Sequence, residues 1–253
     1  WLDYIGRELL DSLELRRLIE EDGVTGVTSN PAIFEKSISD GRHYAADIVK
    51  SRDIPAPAVY EHLALEDIRR AAAELHPVYT ATQGRDGYAS LEVSPHLAHD
   101  TERTLGEARR LWAALDQPNA MIKVPATPAG VAAIETLIAE GINVNVTLLF
   151  AVDAYRRVTD AWLRGLERRL AAGGELSQVA SVASFFISRI DTAADAEIDR
   201  PLAAGAPHRD ARALSALRGT LAIANARQAY LHYMETVTQP RWRRLASAGA
   251  QPQ

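Results

Sequence analysis

A chain of 253 residues that is 47% hydrophobic and 24% charged has the size and composition of one globular α/β domain, about what a single barrel fills. A net charge of −5 argues against broad nucleic-acid binding, and the absence of cysteine excludes disulfides, thiolate nucleophiles and sulfur-ligated metals together. No apolar run reaches the ~18 residues of a membrane span and no charged-then-apolar leader opens the chain, so the sequence predicts a cytoplasmic protein with neither membrane nor nucleic acid as partner.

In chain order, short β-type runs alternate with longer helical patterns, the signature of βα units and a parallel sheet. Strands are predicted near Trp1–Ile5, Val24–Asn30, Tyr88–Val93, Ala120–Val124, Ile142–Leu149 and Val179–Ile187, and helical periodicity over Leu9–Glu20, Leu97–Leu115, Val131–Ala139, Val152–Ala171 and Ala211–Val237. The long connection from Pro31 to Gly87 is expected to hold further helices, including Ala64–Leu75, and the small polar tail Ser247–Gln253 to be frayed. Asn30-Pro31, Ser94-Pro95 and Thr127-Pro128 each set a capping side chain before a proline suited to the first helical turn. Helix N-termini then ring one end of the sheet and favour anionic or hydroxyl-rich ligands there. Arginines interleaved with acids, as in Arg103–Arg110 and Arg164–Arg169, read as solvated faces.

Strand parity separates two faces. Asn143, Asn145 and Thr147 alternate with Ile142, Val144, Val146 and Leu148, and Ser90 and Glu92 alternate with Ala89, Leu91 and Val93. Lys123 lies opposite Ile122 and Val124; Thr28 shares a face with Asn30, Ser184 with Phe186, and Asp3 lies on the first strand. An outer apolar face under helices implies a polar interior, with its functional groups gathered at the C-terminal ends of the strands.

Lys123 stands out because the chain carries its positive charge almost wholly on arginine. Of its three lysines, Lys36 and Lys50 have polar surroundings, and only Lys123 sits inside an apolar strand. A buried amine loses the solvation of its charged form, becomes a nucleophile near neutrality, and can attack a ketone to give a carbinolamine and then an iminium. Glu92, with Thr147 and water, is suited to relay the protons of that dehydration, and Asp3 to deprotonate a sugar hydroxyl during carbon–carbon cleavage. Asn30 and Asn145 are suited to hold hydroxyls of the retained fragment. A structural Lys123–Glu92 ion pair is the competing reading. His96 and His99 have a metal-like spacing but only Asp100 and Glu102 beside them, so no metal is expected, and the absence of glycine-rich phosphate loops implies no nucleotide cofactor.

The stretches Trp1-Leu2-Asp3, Gly26 to Phe34 (GVTSNPAIF), Ser90 to Val93 (SLEV), Met121 to Thr127 (MIKVPAT), Gly141 to Leu148 (GINVNVTL) and Ser184 to Asp191 (SFFISRID) resemble the transaldolase family in order and spacing, across essentially the whole chain. The similarity is to the longer bacterial transaldolases, including those fused to a phosphoglucose isomerase domain. It implies a (β/α)8 barrel of the class I aldolase type and a transferase that moves a dihydroxyacetone unit from sedoheptulose 7-phosphate or fructose 6-phosphate to an aldose phosphate, in the pentose phosphate pathway. Lys123 would form the Schiff base, Asp3 act as acid and base, Glu92 and Thr147 manage water, and Asn30 and Asn145 bind the dihydroxyacetone hydroxyls. Ser184 and Phe186 would shape the pocket that Thr28 also faces, and Arg189 matches a position near the substrate phosphate.

Only about six of the eight strands needed for closure are predicted, and the strand that supplies relatives with a serine and a basic residue for the phosphate is not among them. The expectation is therefore one transaldolase-like barrel domain over residues 1–253, lacking its C-terminal strands and continuing into, or once fused to, a further segment. Two alternatives follow: a non-catalytic truncated fragment, and a fructose 6-phosphate aldolase-like lyase that releases free dihydroxyacetone. Oligomeric state and preferred acceptor are not legible in the sequence.

Overall fold

The computed structural model describes residues 1–205 and 207–253. Five parallel strands, β1 (Gly26–Thr28), β2 (Tyr88–Glu92), β3 (Ala120–Pro125), β4 (Val144–Leu149) and β5 (Ser181–Phe185), pair in sequential order. After two short helices, α1 (Arg7–Asp11) and α2 (Glu14–Glu20), the connection from β1 to β2 holds α3 (Pro31–Ser39), α4 (Ala45–Lys50) and α5 (Ala56–Ala81). Single helices then alternate with strands: α6 (Thr101–Leu115), α7 (Pro128–Glu140) and α8 (Val152–Ala171). Beyond β5 come α9 (Ser188–Ala203), α10 (His208–Ser215), α11 (Leu221–Thr238) and α12 (Pro240–Ser247). This is a parallel α/β half-barrel, with helices covering one face of the sheet.

The period-2 alternation sets what each face does. Val27, Ala89, Leu91, Ile122, Val124, Val144 and Val146 are buried against Ile68, Leu75, Leu111, Ile134, Leu137, Val158 and Trp162 of the covering helices, in one continuous core. Trp162 also stacks on Trp242, ring centroids 5.0 Å apart, which docks α12 onto α8. The other face carries Thr28, Ser90, Glu92, Lys123, Asn145 and Thr147, over an apolar floor that includes Tyr88, Met121 and Val182.

Several predicted boundaries change, each for a local reason. The predicted first strand, Trp1–Ile5, is one parallel bridge between Leu2 and Val27, so the sheet has five strands and a bridge instead of six strands. Leu2 makes both backbone bonds to β1, to the Gly26 carbonyl and from the Thr28 N–H, but the Ile5 carbonyl accepts from Ser37 Oγ and the Arg7 N–H donates to Tyr44 Oη, so the backbone is claimed elsewhere. The predicted helix Leu9–Glu20 breaks at Leu13, whose φ is 61°, and Ala211–Val237 breaks before α11, near Gly219 with φ 65°. The helix predicted over Ala64–Leu75 extends to Ala56–Ala81 and continues through Pro77. The tail is packed, not frayed: Ala250 is buried, Gln251 Nε2 donates to the Gln83 carbonyl, and Gln253 Nε2 donates to Ser181 Oγ at 2.9 Å.

The surface arginines mostly tie neighbouring helices together. Arg110 pairs with Glu61, Arg109 with Glu140 and Arg164 with Glu135, so their partners lie across helix–helix seams. Exposed pairs of this kind each contribute roughly 0–1 kcal/mol. No described helix is long and apolar enough to cross a membrane. Among the described residues no strand pairs with the outer edge of β5, and a groove lined by Ala183, Phe185, Ile187, Ala229 and Tyr230 separates it from α11.

Candidate active site

The polar face converges at the C-terminal ends of the strands because adjacent strands are in register there. Lys123 sits beside Glu92 on one side and Asn145 on the other, and Thr28 beside Ser90. Lys123 is 5% exposed, and its Nζ donates to the Ser29 carbonyl at 3.0 Å, while Glu92 Oε2 lies 3.9 Å away. The amine is thus bonded to a neutral backbone acceptor, with the carboxylate near but not in hydrogen-bond contact. Burial holds the Lys123 amine below its ordinary value, against the opposing pull of Glu92 and Asp3; burial raises the Glu92 carboxyl, against the charge of Lys123. Both shifts favour neutral forms, as needed for an amine nucleophile next to a carboxyl that can carry a proton.

Asn145 joins two strands to the lysine's flank: its Nδ2 donates to Ser90 Oγ at 3.0 Å and its Oδ1 accepts from Ser184 Oγ at 2.7 Å. Asn143, one layer below, spends its polar atoms on backbone, donating to the Pro118 and Ala120 carbonyls and accepting from the Ala180 N–H. Thr28 Oγ1 is buried on this face and has no hydrogen-bond partner among the described residues, which leaves a polar group there to be satisfied. Asn30 caps α3, its Oδ1 accepting from the Ile33 N–H at 3.0 Å, so the predicted ligand contact falls to its amide nitrogen. Thr127 caps α7 in the same way, whereas Ser94 makes no side-chain cap and Pro95 opens only a single 3₁₀ turn.

At the rim, Phe150 stacks on Phe186 with centroids 4.7 Å apart, and the Arg189 guanidinium lies 4.7 Å from the Phe186 ring centre. Arg189 is the second residue of α9, so its cation and the first N–H groups of that helix share one end of the site.

The family model described as transaldolase/fructose-6-phosphate aldolase matches residues 1–245. The chain belongs to that family. It is 48% identical over 256 residues to transaldolase 2 of Nostoc sp., covering 100% of this chain and 67% of the relative. It is 48% identical over 255 residues to the transaldolase of Thiobacillus denitrificans, covering 100% and 69%, and 49% identical over 255 residues to that of Thermobifida fusca, covering 100% and 67%. The chain therefore spans about two thirds of the length of these relatives.

Within this family member the structure brings Lys123, Glu92, Asn145, Thr147, Thr28 and Ser184 onto one face, with Phe186 and Arg189 at its rim. Glu92 and Thr147 make no direct hydrogen bond among the described residues, so a relay between them needs water. Asp3 is exposed, one residue beyond the Leu2 bridge, and its charge reaches both Glu92 and Lys123. Two contributors were not singled out from the sequence. Ser29 acts through its carbonyl, for which a side-chain pattern gives no signal. Phe150 is visible only as the residue after a strand.

Proposed function

We propose that the chain catalyses transaldolase chemistry through Lys123. The neutral amine attacks the carbonyl carbon of a ketose phosphate, Glu92 supplies the proton that lets the carbinolamine oxygen leave as water, and an iminium forms. Asp3 then takes the proton of the hydroxyl two carbons from the iminium carbon. The bond between that hydroxyl's carbon and the carbon next to the iminium breaks, its electron pair moves to the iminium side as an enamine, and an aldose phosphate leaves. A second aldose phosphate accepts the three-carbon unit by the reverse sequence.

Asn30, Asn145 and Thr28 hold the hydroxyls of that unit, Ser184 orients Asn145, Phe186 walls the site and Arg189 meets the phosphate. The observation that carries the reading is a 5% exposed lysine bonded to a backbone carbonyl within 4 Å of a half-buried carboxylate. An ion pair built only for stability would put the two charges in contact.

Incubation of the protein with fructose 6-phosphate and borohydride tests it, with a three-carbon adduct expected at Lys123. No adduct defeats the reading. Product analysis with and without erythrose 4-phosphate separates a transferase from a lyase that releases dihydroxyacetone. We place the reaction in the cytoplasm, where anionic sugar phosphates are retained. We also read residues 1–253 as one barrel domain whose unpaired β5 edge takes further strands, a reading supported by the apolar groove between that edge and α11.

A further inference from the structure

Asp3 has an exposed side chain, and no side chain hydrogen-bonds to it among the described residues. A group that must meet one hydroxyl in a transition state needs placement to within about 0.5 Å, so its position has to come through the backbone on either side. On one side the Leu2 N–H donates to the Gly26 carbonyl at 2.8 Å and the Thr28 N–H donates to the Leu2 carbonyl at 2.9 Å. On the other, the Ile5 carbonyl accepts from Ser37 Oγ at 2.9 Å, and Arg7 enters a buried cluster.

The guanidinium of Arg7 donates to Asp67 at 3.0 Å, to Glu66 at 2.7 Å and to Asp47, while its carbon lies 4.7 Å from the centre of the Tyr44 ring. Tyr44 Oη receives the Arg7 backbone N–H at 3.1 Å and donates to Asp67 Oδ2 at 2.6 Å. Tyr44 therefore grips the backbone four residues from Asp3 and is itself fixed by Asp67, which is fully buried. Arg7 and Asp67 are buried, while Glu66 and Asp47, the latter also paired with Lys50, reach solvent; for the buried pair alone, apolar packing of similar volume would stabilise these helices at least as well. What the cluster supplies is direction: a planar fork held from α4 and α5 together fixes the course of the chain that carries Asp3.

We propose that Arg7, clamped by Tyr44 and Asp67, is a positioning residue that holds Asp3 over the carbon–carbon bond to be broken. This rests on the proposed role of Asp3. Loosening the clamp impairs cleavage and leaves imine formation intact, because among the described residues Lys123, Ser29 and Glu92 share no hydrogen bond or ion pair with it. A protein that forms the iminium but cannot cleave it accumulates the uncleaved six-carbon species.

The test is the mass of the Lys123 peptide after treatment with fructose 6-phosphate and borohydride, in the unmodified protein, Tyr44→Phe, Arg7→Lys and Asp3→Asn. The unmodified protein is expected to give the three-carbon adduct and the variants chiefly the six-carbon one, with kcat for Tyr44→Phe lowered about tenfold and KM within about twofold. Tyr44→Phe keeps the ring under Arg7 and removes only the hydroxyl, so it carries the test if Arg7→Lys does not fold. A three-carbon adduct alone in Tyr44→Phe, whatever its rate, overturns the proposal. No adduct in the unmodified protein, or no six-carbon adduct in Asp3→Asn, defeats the underlying assignment instead.

Discussion

Lys123 Nζ is bonded to the Ser29 carbonyl at 3.0 Å and stands 3.9 Å from Glu92 Oε2, so the carboxylate biases the amine's charge without pinning it. Burial lowers the amine and the Glu92 anion opposes that lowering. In Glu92→Gln the opposing charge is gone, burial acts with less resistance, and the Lys123 midpoint moves to lower pH. The pH dependence of borohydride trapping should show the rising limb shifted down, while kcat falls by about 10²–10⁴ through loss of the proton carrier. A midpoint that stays put or rises would show that Glu92 does not act on the amine.

The same burial makes Lys123 a cost to folding. Its folded value lies below the ordinary 10.5, so the unfolded chain binds the extra proton between those two values. Stability therefore rises with pH across that window, and the penalty is fully present below the folded value. Lys123→Met should abolish the adduct and, at pH 7, raise the unfolding free energy in urea by about 1–3 kcal/mol. The gain should shrink above the ordinary lysine value. A destabilised Lys123→Met at pH 7 would mean that the lysine is there for structure.

Asn145 occupies one donor on Ser90 and one acceptor on Ser184, both in the polar wall beside Lys123. Asn145→Ala strands two hydroxyls at once, which costs about 1–3 kcal/mol of stability, and removes the residue proposed to hold the ketose hydroxyls. KM for the ketose is expected to rise about tenfold, with the borohydride adduct still forming at saturating substrate. Unchanged KM with the expected loss of stability would restrict Asn145 to a structural part.

The polar wall was legible because period-2 alternation survives folding in β2, in β3 and in β4 as far as Thr147, and Lys123 because an arginine-rich chain makes a lysine in an apolar strand conspicuous. Asp3 was placed on a strand that proved to be a single bridge, since alternation in Trp1–Ile5 says nothing of the Ser37 and Tyr44 groups that take its backbone partners. Arg7 was invisible for a related reason. In such a chain one more arginine near acids reads as a solvated face, and only the fold shows it 4% exposed among carboxylates from α4 and α5. The bulge in β4 had no signal at all, because leucine is a poor candidate for a left-handed residue.

That bulge offers a direct test of strain at the site. Between Val146 and Leu149 the pairing of β4 with β5 shifts, and Leu148 adopts φ 58° with its side chain 39% exposed, while Leu149 is buried in the core. Regular alternation would send Leu148 to the helices; the bulge leaves Leu148 partly exposed and sends Leu149 there in its place, with Thr147 kept buried. For leucine the left-handed region costs roughly 1–2 kcal/mol, and more for a β-branched residue. Leu148→Asn should therefore stabilise the protein by about 0.5–1 kcal/mol in urea unfolding despite the loss of apolar surface, and Leu148→Val should destabilise it by about 1–2 kcal/mol. Leu148→Gly should fall between Asn and Leu, because relief of strain is partly offset by backbone entropy. If Val equals Leu while Asn is worse, side-chain packing and not backbone conformation governs this position, and the bulge is not the source of strain at the end of β4.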